Sequence, residues 1–445
     1  MPIGQHAPYY VGQTRIFVNS PRYSTKDISK IVTEVKIFEN IGLPYLTAQL
    51  IIIDSANASN AATFIGQERV VMTVLDENLQ PIIAKEWICM GIEGGQKVND
   101  GVSVYVVKLI EEHAMLSNST RFSKTYEGKP EAIANKVTSE QLGVSISTEG
   151  SYQSNMRVNF PFTTNPLSAA MWMTSRCTTA EGAPFYLYST MVDDSLQMKS
   201  LSTLLAQGPF NSRPFTFART SDKEIGGPED YEIVRHKISG YTIGDTEDSL
   251  LAMTRNVYGA YYHFLETHEF GGYEFIYDLP TPLNKMPKPN GTTVHNYDPA
   301  FTIGRPYHEG QNTYSTQIVT RKLFEDGIFS YNEEEVMERH KRKGESQALY
   351  NFMARSPINV SIPGKGLGGF DKLGKVADIY ITKDIPIDEE GSSRESVMDK
   401  KKSGKYLVYA IKHVIFNNQW TSTLTATKLD TDPALSGEDG KLNKA

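Results

Sequence analysis

The sequence predicts an α+β protein that is mostly β, with antiparallel β regions at both ends and an α/β segment between them. Three observations predict it. Residues 12–118 and 357–429 hold short runs of alternating apolar and polar residues, rich in β-branched and aromatic side chains, the pattern of half-buried strands. Between them, around residues 131–142 and 165–174, the apolar period lengthens to that of a helix. Towards the C-terminal end, Ser403–Leu429 reads as a β-hairpin turning on Asn417-Asn418-Gln419.

In chain order, Ile31–Phe38 alternates, Glu39–Pro44 interrupts, and Tyr45–Ile53 resumes before the polar loop Asp54–Asn60. Val70–Leu75, Ile82–Ile92 and Val102–Ile110 follow, separated by Asp76-Glu77-Asn78 and by the glycine-containing turn Gly94–Gly101. Strands at this spacing without a helix between them indicate an antiparallel barrel or sandwich. Glu131–Leu142 is a helix with Ile133 and Val137 on one face and Gly143 as its C-cap. A second helix is capped by Asn165, starts at Pro166 and carries Leu167, Ala170, Met171 and Thr174 on one stripe, with Trp172 off it. Phe185–Thr190 is a strand, and residues 211–227 read as a connection.

Tyr231–Tyr241 and Tyr258–Glu266 return to strand character, with a helical or turn segment at Asp245–Met253 between them. Pro280–Pro289 holds four prolines and is a loop. Residues 333–354 form the longest helix candidate, weakened at Gly344. Pro357–Pro363 and Val376–Thr382 are strands, Asp384–Lys402 is a charged excursion, and the tail from Asp430 is polar. In the closing hairpin, Tyr406, Val408 and Ala410 share one face and Leu407, Tyr409 and Ile411 the other. On its second strand Trp420, Leu424 and Ala426 oppose a ladder of Thr421, Thr423, Thr425 and Thr427. The Trp420 face is expected to plug the second β region, with partner strands from Tyr231–Tyr241 and Pro357–Thr382.

Composition narrows the function classes. With 445 residues, 39% of them hydrophobic and 10% aromatic, the chain has material for about three packed domains. A net charge of −7 argues against a protein that grips nucleic-acid phosphates. Two cysteines, Cys89 and Cys177, are too few for a disulfide scaffold or a thiolate zinc site, and both sit in apolar surroundings as buried thiols. No signal peptide is visible, and apolar runs such as Leu50–Ile53 are far short of the ~20 residues of a membrane helix, so no stable membrane insertion is expected.

Candidate chemistry is sparse. His263 and His268 flank Glu266, but a five-residue spacing does not bring two imidazoles to one helical face, and on a strand it sends them to opposite sides. Gly364–Gly369 is glycine-rich, yet it leads to another strand rather than a helix N-terminus that could hold a phosphate, so it reads as a wide turn. Asp388-Glu389-Glu390 and Lys400-Lys401-Lys402 bracket a charged loop, a solvated connection or a partner-docking arm. The sequons at Asn57, Asn118, Asn290 and Asn359 carry little weight without a secretory signal. No catalytic, cofactor-binding or metal-ligating residue is assigned, and no cofactor is expected.

Four stretches stand in a definite order: Val35–Asp54 followed by Phe64–Glu68; Tyr105–His113 with Phe122–Gly128; Phe160–Ala170 through Phe185–Tyr188; and Gly374–Ile381 with the Ser403–Leu429 hairpin. Their order resembles that of the baseplate hub proteins of contractile-tailed phages and their relatives in injection machines, including the N-terminal half of VgrG-like spikes. The resemblance covers most of the chain and fits least well over 266–349 and 384–402. It implies a first tube-like β-barrel at 1–118, an α/β lobe at 119–227, a second tube-like barrel from 228–265 and 355–432, an inserted lobe segment and helix at 266–354, and a polar tail at 433–445.

What the resemblance implies about function is mechanical and non-enzymatic. The chain would form a homotrimer whose six barrels make a pseudo-six-fold ring, adapting a six-fold tail tube to a three-fold central spike carried on another chain. Implied partners are the tail tube or distal tail tube protein, the spike, the tape-measure protein and baseplate wedge proteins. DNA would pass through the lumen during genome ejection, which an acidic wall suits because like charge avoids sticking. The implied location is the tail baseplate of a virion assembled in the host cytoplasm. Two rivals stand beside it: a cell-wall (peptidoglycan) hydrolase of the same tail, using a carboxylate pair that sequence alone does not single out, and a β-rich carbohydrate-binding adhesin, suggested by 24 tyrosines.

Overall fold

The computed structural model describes residues 11–20, 23–54, 64, 66–99, 102–180, 183–211, 364, 369–381 and 403–428, together with strands at 215–217, 240–243, 259–267, 272–281, 314–320, 324–325, 328–329 and 357–363. The first β region contains β1 (Gln13–Ser20), β2 (Tyr23–Asp27), β3 (Val32–Asn40), β4 (Thr47–Asp54), β5 (Arg69–Leu75), β6 (Pro81–Asn99) and β7 (Val102–Ile110). The lobe follows with α1 (Glu112–Ser119), β8 (Lys124–Gly128), α2 (Pro130–Leu142), β9 (Ile146–Thr148), β10 (Met156–Phe160), α3 (Pro166–Thr174), β11 (Phe185–Tyr188), β12 (Leu196–Ser200) and α4 (Leu201–Leu205). Next come β13 (Phe215–Phe217), β14 (Gly240–Ile243), β15 (Gly259–Thr267), β16 (Gly272–Thr281), β17 (Tyr314–Thr320), β18 (Phe324–Glu325) and β19 (Ile328–Phe329). The last group is β20 (Pro357–Pro363), β21 (Val376–Ile381), β22 (Gly404–Phe416) and β23 (Gln419–Lys428).

Strands predominate, as the sequence predicts, but the two β regions are not separate. One 13-stranded sheet runs in the order β14-β20-β23-β22-β3-β4-β7-β6-β5-β1-β2, with β21 and β13 branching from β22. The path is open as described: among the described residues no strand pairing joins its two ends, β14 and β2. The union is antiparallel, Ala410–Phe416 of β22 against Glu34–Asn40 of β3. Lower down, Gly404–Leu407 of β22 pairs with β21 instead. A bulge between Val408 and Ala410 marks the hand-over, because an extra residue there re-aims the strand.

That bulge corrects the expected face pattern. Strict alternation puts Val408 and Ile411 on opposite faces, yet both are buried in one core. The hairpin turn is tighter than expected. Asn417 and Asn418 alone form it, at φ 48° and 60°, the left-handed pair that a two-residue type I′ turn needs, while Gln419 already pairs with Phe416. Thr421, Thr423 and Thr425 form a half-exposed ladder, in which the Thr423 and Thr425 hydroxyls meet Ser361 and Asn359 of β20, whereas Thr427 is buried rather than part of that ladder.

The position of Trp420 is the main correction. Its expected home was the second β region, but it packs with Ile415 and Phe370 in the core of the first, among Val35, Ile37, Leu50 and Val107. Leu407, Val408, Ile411, Leu424 and Ala426, at the other end of the hairpin, lie in a second core with β20, β21 and the lobe residues Tyr186, Tyr188 and Leu204. A strand of 13 residues spans roughly 43 Å at ~3.3 Å per residue, long enough to serve both. The hairpin is a staple through two cores. β20 pairs with β23 and β21 with β22, as expected; β14 joins through β20, and residues 231–239 lie outside the described residues.

Other elements depart from expectation for local reasons. Glu39 and Asn40 continue β3 instead of interrupting it. β6 runs to Asn99 through Gly94 and Gly95, where a turn was expected, with bulges absorbing the surplus residues. Glu112–Ser119, taken with the strands, is helix α1; its buried residues, His113, Ala114 and Ser117, include only one apolar side chain, so its sequence carries no amphipathic stripe. Phe215–Phe217 is a strand, pairing in parallel with β21, within the stretch expected to be a connection.

In the lobe, α2 ends at Gly143 with φ 71°, as its C-cap role requires. The Asn165 side chain accepts from Ser168 N–H at 2.8 Å, capping α3 as expected. Asn165→Ala should destabilise by about 1 kcal/mol in chemical denaturation; no change would mean that Ser117, which also reaches this helix end, holds it alone. Leu167, Ala170 and Thr174 are buried, but Met171 is 38% exposed and Met173 takes its place inside. Trp172 lies edge-on to Phe160 and beneath the Arg176 guanidinium, 3.5 Å from the ring centroid. Both cysteines are buried free thiols, and burial pushes Cys89 up to about 12. The segments 245–253 and 333–354 lie outside the described residues. No helix among the described residues is long and apolar enough to cross a membrane.

Candidate functional site

The motifs singled out in the sequence do not converge. His263 lies on β15, as expected for a strand, while His268, Asp388–Glu390 and Lys400–Lys402 lie outside the described residues. Among the described residues no group of His, Cys, Asp and Glu is arranged to hold a metal ion. Of the glycine-rich stretch, Gly364 and Gly369 are described, and their carbonyls accept from the buried Lys372 ammonium, Gly364 O at 2.8 Å. A loop that turns carbonyls to a cation has the opposite polarity from one that cradles a phosphate.

Chemistry-bearing side chains gather instead where β22 meets β3. Each arrives by strand periodicity: Glu39 shares a face with Val35 and Ile37, His413 with Ile411 and Ile415, and Ser422 with Trp420 and Leu424. Three polar groups therefore project into an apolar interior and must satisfy one another. His413 Nε2 lies 2.8 Å from Glu39 Oε1, and its Nδ1 lies 2.8 Å from Ser422 Oγ and 3.3 Å from Trp420 Nε1. An indole N–H only donates, so Nδ1 accepts, and the ring proton sits on Nε2 and is donated to the Glu39 carboxylate. Burial holds His413 below its ordinary pKa, partly offset by the Glu39 hydrogen bond, in keeping with a neutral ring. Burial also lowers Lys372, to about 8, with Glu39 acting against it.

Around this network the packing is tight. Phe370 stacks on Trp420 at 4.3 Å between centroids and meets His413 edge-on at 4.7 Å. The Gly364 N–H donates to Trp420 O at 2.9 Å, and a Cβ built on Gly364 would fall 2.1 Å from the indole ring carbons. Gly364→Ala is therefore expected to destabilise by about 1–3 kcal/mol through overpacking, measured by urea unfolding. A neutral outcome would mean that the glycine-rich turn can move off the ring.

The same seam anchors the lobe through three consecutive residues. Ser189 Oγ donates to Glu111 Oε1 at 3.1 Å, Thr190 O accepts from Lys85 Nζ at 3.0 Å, and Met191 N–H donates to Glu39 Oε2 at 3.0 Å. Glu111 is itself paired with Lys85 at 2.7 Å and accepts from Leu46 N–H at 2.7 Å. His113 Nε2–H donates to Pro44 O at 2.8 Å. Glu39 thus joins three bodies: its own strand, the closing hairpin and the lobe.

Serine, histidine and glutamate in sequence of hydrogen bonds suggest acyl-transfer chemistry, but here the arrangement is sealed. Ser422, His413 and the Glu39 carboxylate are fully buried, so no substrate carbonyl reaches the hydroxyl. What this geometry does is fix the positions of two sheet halves and a lobe. The sequence reading did not single out Glu39, His413 or Ser422. The signal that marks them is a polar residue at an apolar register position on each of three strands.

The fold and junction define a mostly β protein whose closing hairpin unites two β regions and an α/β lobe. No protein-family profile matches the chain, and no curated protein matches it. Among solved structures, it is similar to the tail protein from Neisseria meningitidis MC58, at 9% identity and TM-score 0.49 over 93% of this chain and 96% of that one. It is also similar to the 43 kDa tail protein of prophage MuSo2 from Shewanella oneidensis, at 9% identity and TM-score 0.47 over 94% and 98%. A third is the E. coli c3393 protein, a type VI secretion component described as similar to the T4 tail proteins gp27 and gp5, at 9% identity and TM-score 0.38 over 93% and 76%. These neighbours are of the kind that the motif order resembles.

Proposed function

We propose that the chain is a non-enzymatic structural hub of a contractile tail or injection device, joining a six-fold tube to a three-fold spike and lining the passage for DNA. The observation that carries the reading is the union of β22 with β3, which fixes two β regions edge to edge in one sheet. An adapter between rings of different symmetry needs two tube-like units per subunit held rigidly side by side, and a hairpin shared by two cores supplies that rigidity. Among the described residues the sheet path ends at β2 and β14, and strands at a sheet edge suit pairing between subunits of a trimer. The four-stretch motif order supports the same reading.

Low-resolution imaging of the purified oligomer tests it. A three-fold ring with six internal lobes is the expected result. A stable monomer that binds neither tube nor spike components would sink the proposal, and peptidoglycan turnover by the isolated chain, abolished by changing one carboxylate, would favour the hydrolase.

A further inference from the structure

Three titratable side chains meet at the seam: Glu39 from β3, His413 from β22 and Lys372 from the turn before β21. From β23 come Ser422 and Trp420, which carry no charge, and Phe370 and Met191 complete the surroundings. With the imidazole neutral, the Glu39 carboxylate and the Lys372 ammonium balance each other inside the core. A proton added at Nδ1 upsets this in two ways. It makes that atom a donor facing the Trp420 indole, which cannot turn to accept, although the Ser422 hydroxyl can. It also leaves the buried cluster with a net positive charge, which is costly away from water.

We propose that His413 is a proton-operated latch: mild acid favours opening of this junction, releasing the Ser189–Met191 strip of the lobe and the tip of the closing hairpin from β3. The sign follows from proton counting. In the opened state the ring is solvated and takes up a proton with its ordinary pKa near ~6.5. In the closed state burial outweighs the Glu39 hydrogen bond and holds the ring below that value. The closed state therefore binds fewer protons as pH falls through ~6.5, and one such proton favours opening by at most about tenfold per pH unit.

Hydrogen exchange on the full-length protein tests this between pH 7.5 and 5.5, with rates corrected for intrinsic exchange. Peptides containing Met191 and Trp420 are expected to lose about tenfold in protection at pH 5.5, the one-proton limit, while peptides from α2 keep theirs. His413→Gln keeps a donor for Glu39 and an acceptor for the indole but does not titrate, and its response should be flat. Lys372→Met removes the charge that opposes protonation and should shrink the response. Unchanged protection in the native protein, an equal loss in α2, or a native-like response in the folded His413→Gln variant would each overturn the latch. If His413→Gln does not fold, a native-like response in Lys372→Met overturns it, and a reduced one supports it.

Discussion

Replacing Trp420 by alanine is expected to destabilise the protein by about 3–5 kcal/mol, read from urea or thermal unfolding. The ring is fully buried, stacked on Phe370 and backed by Gly364, so truncation removes a large apolar contact and leaves a space that rigid neighbours do not fill. It also strands the His413 network, because the indole is one of the donors that satisfy Nδ1. The loss should reach beyond the first β region, since the strands that carry Trp420 also pass through the second core. A change under about 1 kcal/mol would show that the hairpin is an appendage to a sheet that holds without it.

Glu39→Ala is expected to be of similar size, about 3–5 kcal/mol, the range for leaving a buried charge, here the Lys372 ammonium that Glu39 balances, without its partner. The carboxylate accepts from His413 on one oxygen and from the Met191 amide on the other, so its loss leaves two buried donors unsatisfied. Glu39→Gln should recover part of the loss, because its carbonyl still accepts one of these bonds. A double-mutant cycle with His413→Ala measures the coupling directly, expected at about 0.5–3 kcal/mol. Independent effects would mean that the two residues stabilise their own strands rather than the seam.

Much of the local structure was legible because it is written at short range. The Asn417-Asn418 turn, the Asn165 cap and the Gly143 C-cap each depend on a few adjacent residues whose backbone chemistry is specific. The β22 bulge was not, since Tyr406–Ile411 is apolar or aromatic on both faces and alternation within it has no polar marker. Helix α1 escaped for the reverse reason: Glu112-His113-Ala114 buries a histidine and an alanine, which no apolar period reveals. The junction was invisible as a unit because His413 and Glu39 stand 374 residues apart. Each is a single polar residue on its own strand, and only pairing of β22 with β3 turns the two into one hydrogen bond.

That separation has a consequence for how the chain is made. On a ribosome adding about 5–20 residues per second, β3 emerges roughly 20–75 s before the strand that pairs with its outer side. Through that interval its edge is unpaired, and the apolar residues Val35 and Ile37 lack the Ile415 and Trp420 cover that completes their core. The first β region must wait, half-finished and prone to sticking to other nascent chains, for the hairpin to arrive. Synthesis truncated before residue 404 should therefore yield insoluble material rather than a smaller soluble fragment.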